Sequence, residues 1–261
     1  MTDVVPAVTR IAVPTETRAP TARTNAYVVG ERTALLVDPA TTNERLDEVV
    51  STHDVRHIAV THTHSDHVDA VAHYADQTGA TVWARQGHED AFTAATGVEP
   101  DRTFREGTVI PDVGVRVLET PGHARDHVSF VAGDSILCGD LAIAEGSVVV
   151  GGDGADLRAY LTSLRRLWAM APGELCPGHG PVLTDPRGQC ERLIRHRNRR
   201  EQKVLGAVVA GAETLDEVLD SAYDKDLSGV RDLAAATVEC HLSKLSRAGR
   251  IDWDGERASP V

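Results

Sequence analysis

The stretch VTHTHSDHVDA, residues 60–70, places three histidines and one aspartate within six positions, at the spacing H-x-H-x-D-H. They are His62, His64, Asp66 and His67. Imidazole nitrogens and carboxylate oxygens are ligands of zinc and related ions. A solvated loop rarely acquires such a density of these side chains by chance, so the stretch predicts a metal site.

Three further candidate ligands occur later, His123 in TPGH, Asp140 after a glycine, and His179 in PGHG. Each follows a short apolar run, VRVLE, SILC or ELC, just as the first cluster follows IAV. Four strands that each end in a ligand-bearing loop could bring these residues to one edge of a layered sheet. The neighbouring glycines and prolines permit the tight turns that a close approach to an ion requires.

The number of ligands indicates two ions. Zinc takes about four ligands, and a catalytic site keeps one position for water. Five histidines and two aspartates exceed what one ion needs. We therefore predict a binuclear site with a shared carboxylate and a bridging hydroxide. Two zinc ions are the expected cofactors, and the same ligands accept iron or manganese.

The chemistry expected of such a site is hydrolysis. Paired ions lower the pKa of a water molecule, polarise a carbonyl or phosphoryl oxygen and stabilise the leaving group. Asp66 is the predicted catalytic residue, because a ligand carboxylate can orient this water and accept its proton. No serine or cysteine nucleophile is then required.

The elements that must position these residues follow from the apolar pattern. Five segments have the apolar pattern of strands: RIAV, NAYVV, TALLV, HIAV and TVWA. A hairpin turn is predicted at residues 30–32. TTNERLDEVVSTH and VDAVAHYADQTG read as helices, the second ending at Gly79. Alternating strands and helices predict an α/β fold.

The complete pattern, H-x-H-x-D-H followed by a later His, Asp and His, resembles the metallo-β-lactamase fold hydrolases. The resemblance implies a four-layer αβ/βα sandwich over residues 1 to about 185. It also implies that His62, His64 and His123 hold one metal. Asp66, His67 and His179 would hold the other, with Asp140 as the bridge. True lactamases usually carry cysteine at the position of Asp140, so antibiotic hydrolysis is not expected.

The C-terminal part carries a second resemblance, in IRHRNRREQKVLGAV (residues 194–208), TLDEVLDSAY and AATVECHLSKLSRAGRIDW. These segments resemble a branch that includes a single-strand endoribonuclease and polyketide-releasing thioesterases, and that ends in a small winged-helix-like domain. We predict a hydrolase domain of residues 1–209, including a linking helix, and a winged-helix-like domain of residues 210–261. The latter should lie near the pocket mouth and supply no metal ligand.

Charge bears on the substrate. The net charge is −12, and residues 200–261 hold 8 basic against 12 acidic side chains, which disfavours attraction to nucleic acid. The best basic patch is the run Arg192, Arg195, Arg197, Arg199 and Arg200, for which an ordinary solvated helix face is the alternative. Four well-separated cysteines indicate buried thiols, not disulfides.

The function that we predict is hydrolysis of a small-molecule or carrier-bound acyl thioester or ester by a zinc-dependent enzyme. The alternatives are a single-stranded RNA endonuclease and a non-catalytic binding protein that retains the fold. A homodimer is compatible with the sequence. The absence of a membrane-length apolar run and of a secretory signal predicts a cytoplasmic protein without membrane contact.

Two residues outside the ligand set are further candidates. His127 resembles a histidine of the same branch and is a candidate substrate-binding residue, with a positioning role as the alternative. Asp38, after LLV, is predicted to orient a ligand histidine.

Overall fold

The computed structural model describes residues 6–224 and 226–261. The first half contains β1 (Val8–Pro14), β2 (Arg23–Val29), β3 (Thr33–Val37), α1 (Glu44–Thr52), β4 (Asp54–Ala59), α2 (Ser65–Val68), α3 (Val71–Thr78), β5 (Thr81–Arg85), α4 (Glu89–Thr96) and β6 (Arg102–Phe104). The second half contains β7 (Arg116–Glu119), β8 (Val128–Ala132), β9 (Ser135–Gly139), α5 (Leu157–Met170), β10 (Glu174–Pro177), α6 (Pro186–Val209), α7 (Leu215–Ala222), α8 (Arg231–Arg247), β11 (Ile251–Trp253) and β12 (Ala258–Pro260).

Two sheets form the centre of the fold. The first runs β1-β2-β3-β4-β5-β6, antiparallel up to β3 and parallel from there. The second runs β10-β9-β8-β7, with β9 and β10 parallel and the others antiparallel. Both are mixed sheets, and the predicted strands and the turn at residues 30–32 are confirmed.

The layers follow from alternation along the strands, because successive side chains point to opposite faces of a sheet. On β3, Leu35 and Val37 pack between the sheets with Phe130. Ala34 and Leu36 face the other way and pack with residues of α1 and α3. The outer face of the second sheet is covered by α5 and α6. The predicted four-layer αβ/βα sandwich is confirmed.

The C-terminal segment forms a separate apolar cluster. Residues of α7, α8, β11 and β12 pack around the last turns of α6, including Val204 and Val208. Thr214 and Glu217 form a capping box that starts α7. Three helical segments followed by a β-hairpin give the winged-helix-like arrangement, and α6, with 24 residues, is the linking helix. Because α6 is continuous, the boundary at residue 209 stays a prediction.

Among the helices of the described residues, none combines the length and apolarity that crossing a membrane requires.

Candidate metal centre

Four loops at one edge of the two sheets carry the predicted ligands. The cluster at residues 62–67 follows β4, and His123 follows β7. Asp140 directly follows β9, and His179 follows β10. Residues up to 117 positions apart, His62 and His179, therefore meet at one site.

The first group consists of His62, His64 and His123. The Nε2 atoms of His62 and His123 each lie 3.0 Å from Nδ1 of His64. Nitrogen ligands that surround a zinc ion tetrahedrally at its usual bond length lie about 3.4 Å apart. The three imidazoles are thus close to the arrangement that one ion requires.

The second group consists of Asp66, His67 and His179. His179 Nε2 lies 3.4 Å from Asp66 Oδ2. His67 Nε2 and His179 Nε2 each lie 3.5 Å from Asp140 Oδ1, whereas His123 Nε2 lies 3.6 Å from Asp140 Oδ2. One carboxylate oxygen of Asp140 faces each group, as a bridging ligand requires.

Hydrogen bonds behind the site fix which nitrogen three of the histidines present. His123 Nδ1 donates to the Val149 carbonyl (2.7 Å), and His179 Nδ1 donates to the Arg23 carbonyl (2.8 Å). His67 Nδ1 donates to Asp38 Oδ2 (3.0 Å). With the Nδ1 proton used in this way, Nε2 is the free ligand atom, which is the usual arrangement around protein-bound metals.

Asp38 is the centre of this supporting layer. Its Oδ1 accepts from the Thr61 backbone N–H (2.6 Å), and its Oδ2 accepts from the Thr61 hydroxyl (2.8 Å) as well as from His67. The Thr61 hydroxyl oxygen can then accept from His62 Nδ1 (3.0 Å). Asp38 adopts a left-handed backbone, φ 51°. It thus orients two ligand histidines, one directly and one through Thr61.

The donor set fits a pair of metal ions. His67 Nε2 is buried without a hydrogen-bond partner although it points at the Asp140 carboxylate, and an unpaired buried polar atom is costly unless a ligand satisfies it. Five imidazoles and two carboxylates suit zinc, and iron or manganese equally. These seven side chains therefore form clusters that suit a binuclear metal site.

The protonation of the site follows from burial and neighbouring charge. Burial and the adjacent histidines lower the pKa of His62 and His64, so both are neutral and able to ligate. Burial acts to raise the pKa of Asp66, but the neighbouring His179, His67 and Thr17 together outweigh it and lower that pKa to about 2. Burial also acts to raise the pKa of Asp140, but the neighbouring His179 and His67 outweigh it and keep that pKa well below its ordinary value. Both carboxylates are ionised at neutral pH.

Two glycines permit the close packing. A Cβ at Gly139 would lie 2.6 Å from the Thr61 hydroxyl oxygen, and one at Gly178 would lie 2.6 Å from Asp140 Oδ1. Gly139 also has φ 47°, a backbone conformation that side chains disfavour. Glycine beside Asp140 and His179 is thus needed to bring β9 and β10 together under the metal ligands.

His127 lies beneath the site, with none of its surface exposed. Its Nε2 accepts from the Asp140 backbone N–H (3.1 Å), and its Nδ1 donates to the Thr120 hydroxyl oxygen (2.9 Å). Burial and the nearby His123 lower the pKa of His127 to about 3, consistent with this neutral form. The geometry corresponds to the positioning alternative. His127 is not among the residues that line the pocket, and its direct contact with substrate stays a prediction.

A pocket of about 420 Å³ opens beside the ligands. His64, Asp66, His123, Asp140 and His179 form its floor. Residues 16–20, between β1 and β2, form one side, and the segment after Asp140 forms another. Leu233 of α8 completes the rim, so the C-terminal segment reaches the pocket and supplies no member of the metal groups.

Some contributors were not recognisable in the sequence. The residues 16–20, the segment 142–151 and Leu233 carry no motif, and only their place in the fold brings them to the pocket. Thr61 stands inside the ligand stretch but was not identified as a relay. Six further histidines lie outside the metal groups: His53, His57, His73, His88, His196 and His241.

Residues 20–179 match the family model of the metallo-beta-lactamase superfamily. The chain belongs to this superfamily. A beta-lactamase-like protein 2 homolog of Drosophila melanogaster is 32% identical over 206 residues, which cover 74% of this chain and 69% of that protein. An atrochrysone carboxyl ACP thioesterase of Aspergillus fumigatus is 26% identical over 258 residues, covering 88% and 78%.

The solved structures show the same fold. A metallo-beta-lactamase family protein from Thermus thermophilus superposes with a TM-score of 0.78 over 97% of this chain and 98% of that one, at 23% identity. The superposition includes the C-terminal segment, which lies outside the residues matched by the family model. A solved structure therefore has the same overall architecture as this chain. Family and site together define a metal-dependent hydrolase.

Proposed function

We propose that the protein hydrolyses an acyl thioester or ester whose acyl group lies in the pocket beside the metal ligands. One observation carries the proposal: the pocket wall next to Asp140 is largely apolar. Ala142, Ile143, Val148 and Val149 line it, and Leu233 faces them from α8. Pockets of this volume that combine an apolar lining with a few polar groups suit small-molecule substrates.

Cationic groups at the pocket are few and already paired. Arg18 is the arginine of the lining, and its guanidinium donates to Asp232 and to the Gly229 carbonyl. A phosphodiesterase for single-stranded RNA requires a basic groove and aromatic platforms for bases. The pocket lining contains five carboxylate or imidazole metal ligands and no aromatic ring apart from those imidazoles. These features favour an acyl substrate over RNA.

The arginine run of α6 does not supply the missing basic surface. Arg192 donates to the carbonyls of Ile143 and Gly146, and Arg197 is buried against Val148. Arg200 donates to the Ala222 carbonyl. Guanidiniums that are bound to the protein's own backbone are not available to a phosphate backbone, so the patch expected from sequence is largely used inside the fold.

One of the relatives supports this choice. The name of the Aspergillus fumigatus relative describes a thioesterase that acts on a carrier-bound acyl group. We therefore include a carrier-bound thioester among the substrates. Bound ions, for which we propose zinc, would acidify a water molecule and polarise the scissile carbonyl.

The chain's own residues then have separate roles. Asp66, ionised and exposed to the pocket, would accept the proton of the attacking water. His62, His64, His67, His123 and His179 would hold the ions, and Asp140 would keep the two groups together. A thiolate leaving group requires little protonation at neutral pH, whereas the alkoxide of an ester would take up the proton that Asp66 had accepted from the water.

The test compares substrates on one preparation. The protein is incubated with acetyl and octanoyl thioesters and with labelled single-stranded RNA, each with and without a chelator. We expect thioester hydrolysis that the chelator abolishes, and intact RNA. RNA cleavage without thioester hydrolysis would establish the nuclease instead, and inactivity of the zinc-loaded protein on all three would support the non-catalytic alternative.

A further inference from the structure

The pocket wall next to Asp140 is an irregular segment, residues 141–149, without helix or strand. Such backbone cannot satisfy its own carbonyl groups, so other parts of the chain must do so. Tyr160 Oη donates to the Leu141 carbonyl (2.9 Å). At the other end, the ligand His123 donates to the Val149 carbonyl (2.7 Å).

Between these ends the donors are two arginines of α6. Arg192 donates from Nη2 to the Ile143 carbonyl (2.7 Å) and from Nη1 to the Gly146 carbonyl (2.6 Å). Arg197 Nη2 donates to the Val148 carbonyl. Three carbonyls of the wall are therefore held by the helix that links the sandwich to the C-terminal segment.

The position of Arg197 is unusual for an arginine. Its side chain is 2% exposed, and its guanidinium lies over the Tyr160 ring, 5.5 Å from the centroid. The ion pairs of the described residues include none for Arg197. A buried cation without a carboxylate is costly, whereas an apolar residue would fill the space at less cost. Its contact with the wall gives a reason for its presence.

The wall is the part of the pocket that an acyl chain would touch. Ile143 and Val148 both line the pocket, and their carbonyls are bound to Arg192 and Arg197. A shift of either carbonyl therefore moves an apolar side chain relative to the metal ligands.

We infer that Arg192 and Arg197 are positioning residues that set the acyl-chain selectivity of the enzyme by fixing the wall at residues 141–149. The inference rests on the proposed acyl hydrolase function. It also assigns a role to the arginine run, which the sequence offered as a nucleic-acid patch or a solvated helix face.

Arg192→Gln is the better test variant, because Arg192 is partly exposed and its loss leaves the helix core intact. Glutamine is too short to reach both carbonyls. We expect kcat/KM for an octanoyl thioester to fall about tenfold, as one or two charge-assisted hydrogen bonds are lost. The acetyl thioester should change by less than about threefold, since a short chain leaves the wall largely untouched. Arg192→Lys should recover part of the loss, because an ammonium group can still serve one carbonyl.

Arg195→Gln is the matched control. Arg195 lies one turn along the same helix, and its polar contacts within the described part of the chain are with Glu191. It should leave the ratio of octanoyl to acetyl kcat/KM unchanged. Arg197→Met is a second variant, expected to change the ratio in the same direction if it folds.

A readout independent of turnover is amide hydrogen exchange in residues 141–150, which should accelerate in Arg192→Gln and not in Arg195→Gln. Metal content should stay that of the wild type. An unchanged ratio with unchanged exchange, or an equal fall for both thioesters, would overturn the inference while the wild type remains an active thioesterase. A wild type inactive on both thioesters would instead overturn the proposed function, and the selectivity with it.

Discussion

Replacing Asp38 by asparagine should weaken metal binding without changing a metal ligand. The Thr61 backbone N–H can only donate, so the asparagine side-chain oxygen must remain toward it. The side-chain NH2 group then faces His67 Nδ1 and the Thr61 hydroxyl. His67 can accept that hydrogen bond only by moving its own proton to Nε2, the atom that faces Asp140. In that tautomer His67 is no longer a ligand.

The expected size of the effect follows from this single tautomer change. Loss of a partner that orients a ligand histidine costs about 10- to 100-fold in metal affinity or activity, which corresponds to about 1.4 to 2.8 kcal/mol. The fold should tolerate the change. Asparagine has nearly the same shape and accepts the left-handed backbone found at Asp38.

The assay measures bound zinc per chain at fixed free zinc, set by a competing chelator, together with kcat on an acyl thioester. We expect the free zinc concentration at which the weaker site is half occupied to rise about 10- to 100-fold. The kcat measured at low zinc should fall accordingly. Asp47→Asn is the control, because Asp47 also accepts a hydrogen bond, from the Tyr74 hydroxyl (2.7 Å), but lies away from the metal groups. A D38N protein that binds zinc as the wild type does, or a D47N protein that loses zinc equally, would refute the reasoning.

The remaining predictions are simpler. Elemental analysis after zinc or iron supplementation should give two metal equivalents per chain, and well under one equivalent would contradict the binuclear site. Asp140→Ala should reduce turnover by orders of magnitude with little loss of folding, whereas His53→Ala should leave turnover unchanged; equal effects would mean that the site is misplaced. Burial opposes ionisation of Glu201, but His241 and Lys244 outweigh it and lower its pKa. The carboxylate therefore stabilises the fold above the unfolded-state pKa of about 4.3, and this contribution is lost as the pH falls through the lowered folded-state pKa. In urea titrations, Glu201→Gln should lower the free energy of unfolding at pH 7 and lower it progressively less below pH about 4. An equal loss at pH 7 and below pH about 4 would exclude this linkage.

The metal ligands could be predicted from the sequence because each is tied to a local pattern. His62, His64, Asp66 and His67 share one loop, and their residue types have few other uses at that density. His123, Asp140 and His179 each follow an apolar run that proved to be a strand. Strand ends lie at sheet edges by geometry, so convergence followed from the order of elements.

The substrate side of the site could not be predicted in this way. The wall at residues 141–149 has no periodicity, and its shape depends on Arg192 and Arg197, some fifty positions later in the chain. The arginine run looked basic and exposed, because the sequence shows the charge of each residue. Whether a guanidinium is free to bind a partner depends on whether it is already bound to a carbonyl of the protein, which the sequence does not show. Leu233 reaches the pocket only because α8 packs beside the sandwich.

The difference has a physical reason. Metal ligation needs particular nitrogen and oxygen atoms, and the residue types and their spacing show where in the sequence those atoms occur. A binding pocket needs a volume with a given lining, and ordinary apolar residues from distant segments can supply it. The sequence by itself therefore determined the fold, the seven ligands and the hydrolytic chemistry that they permit. Only the tertiary structure decided what surrounds the metals, which group orients each ligand, and which arginines remain for a partner.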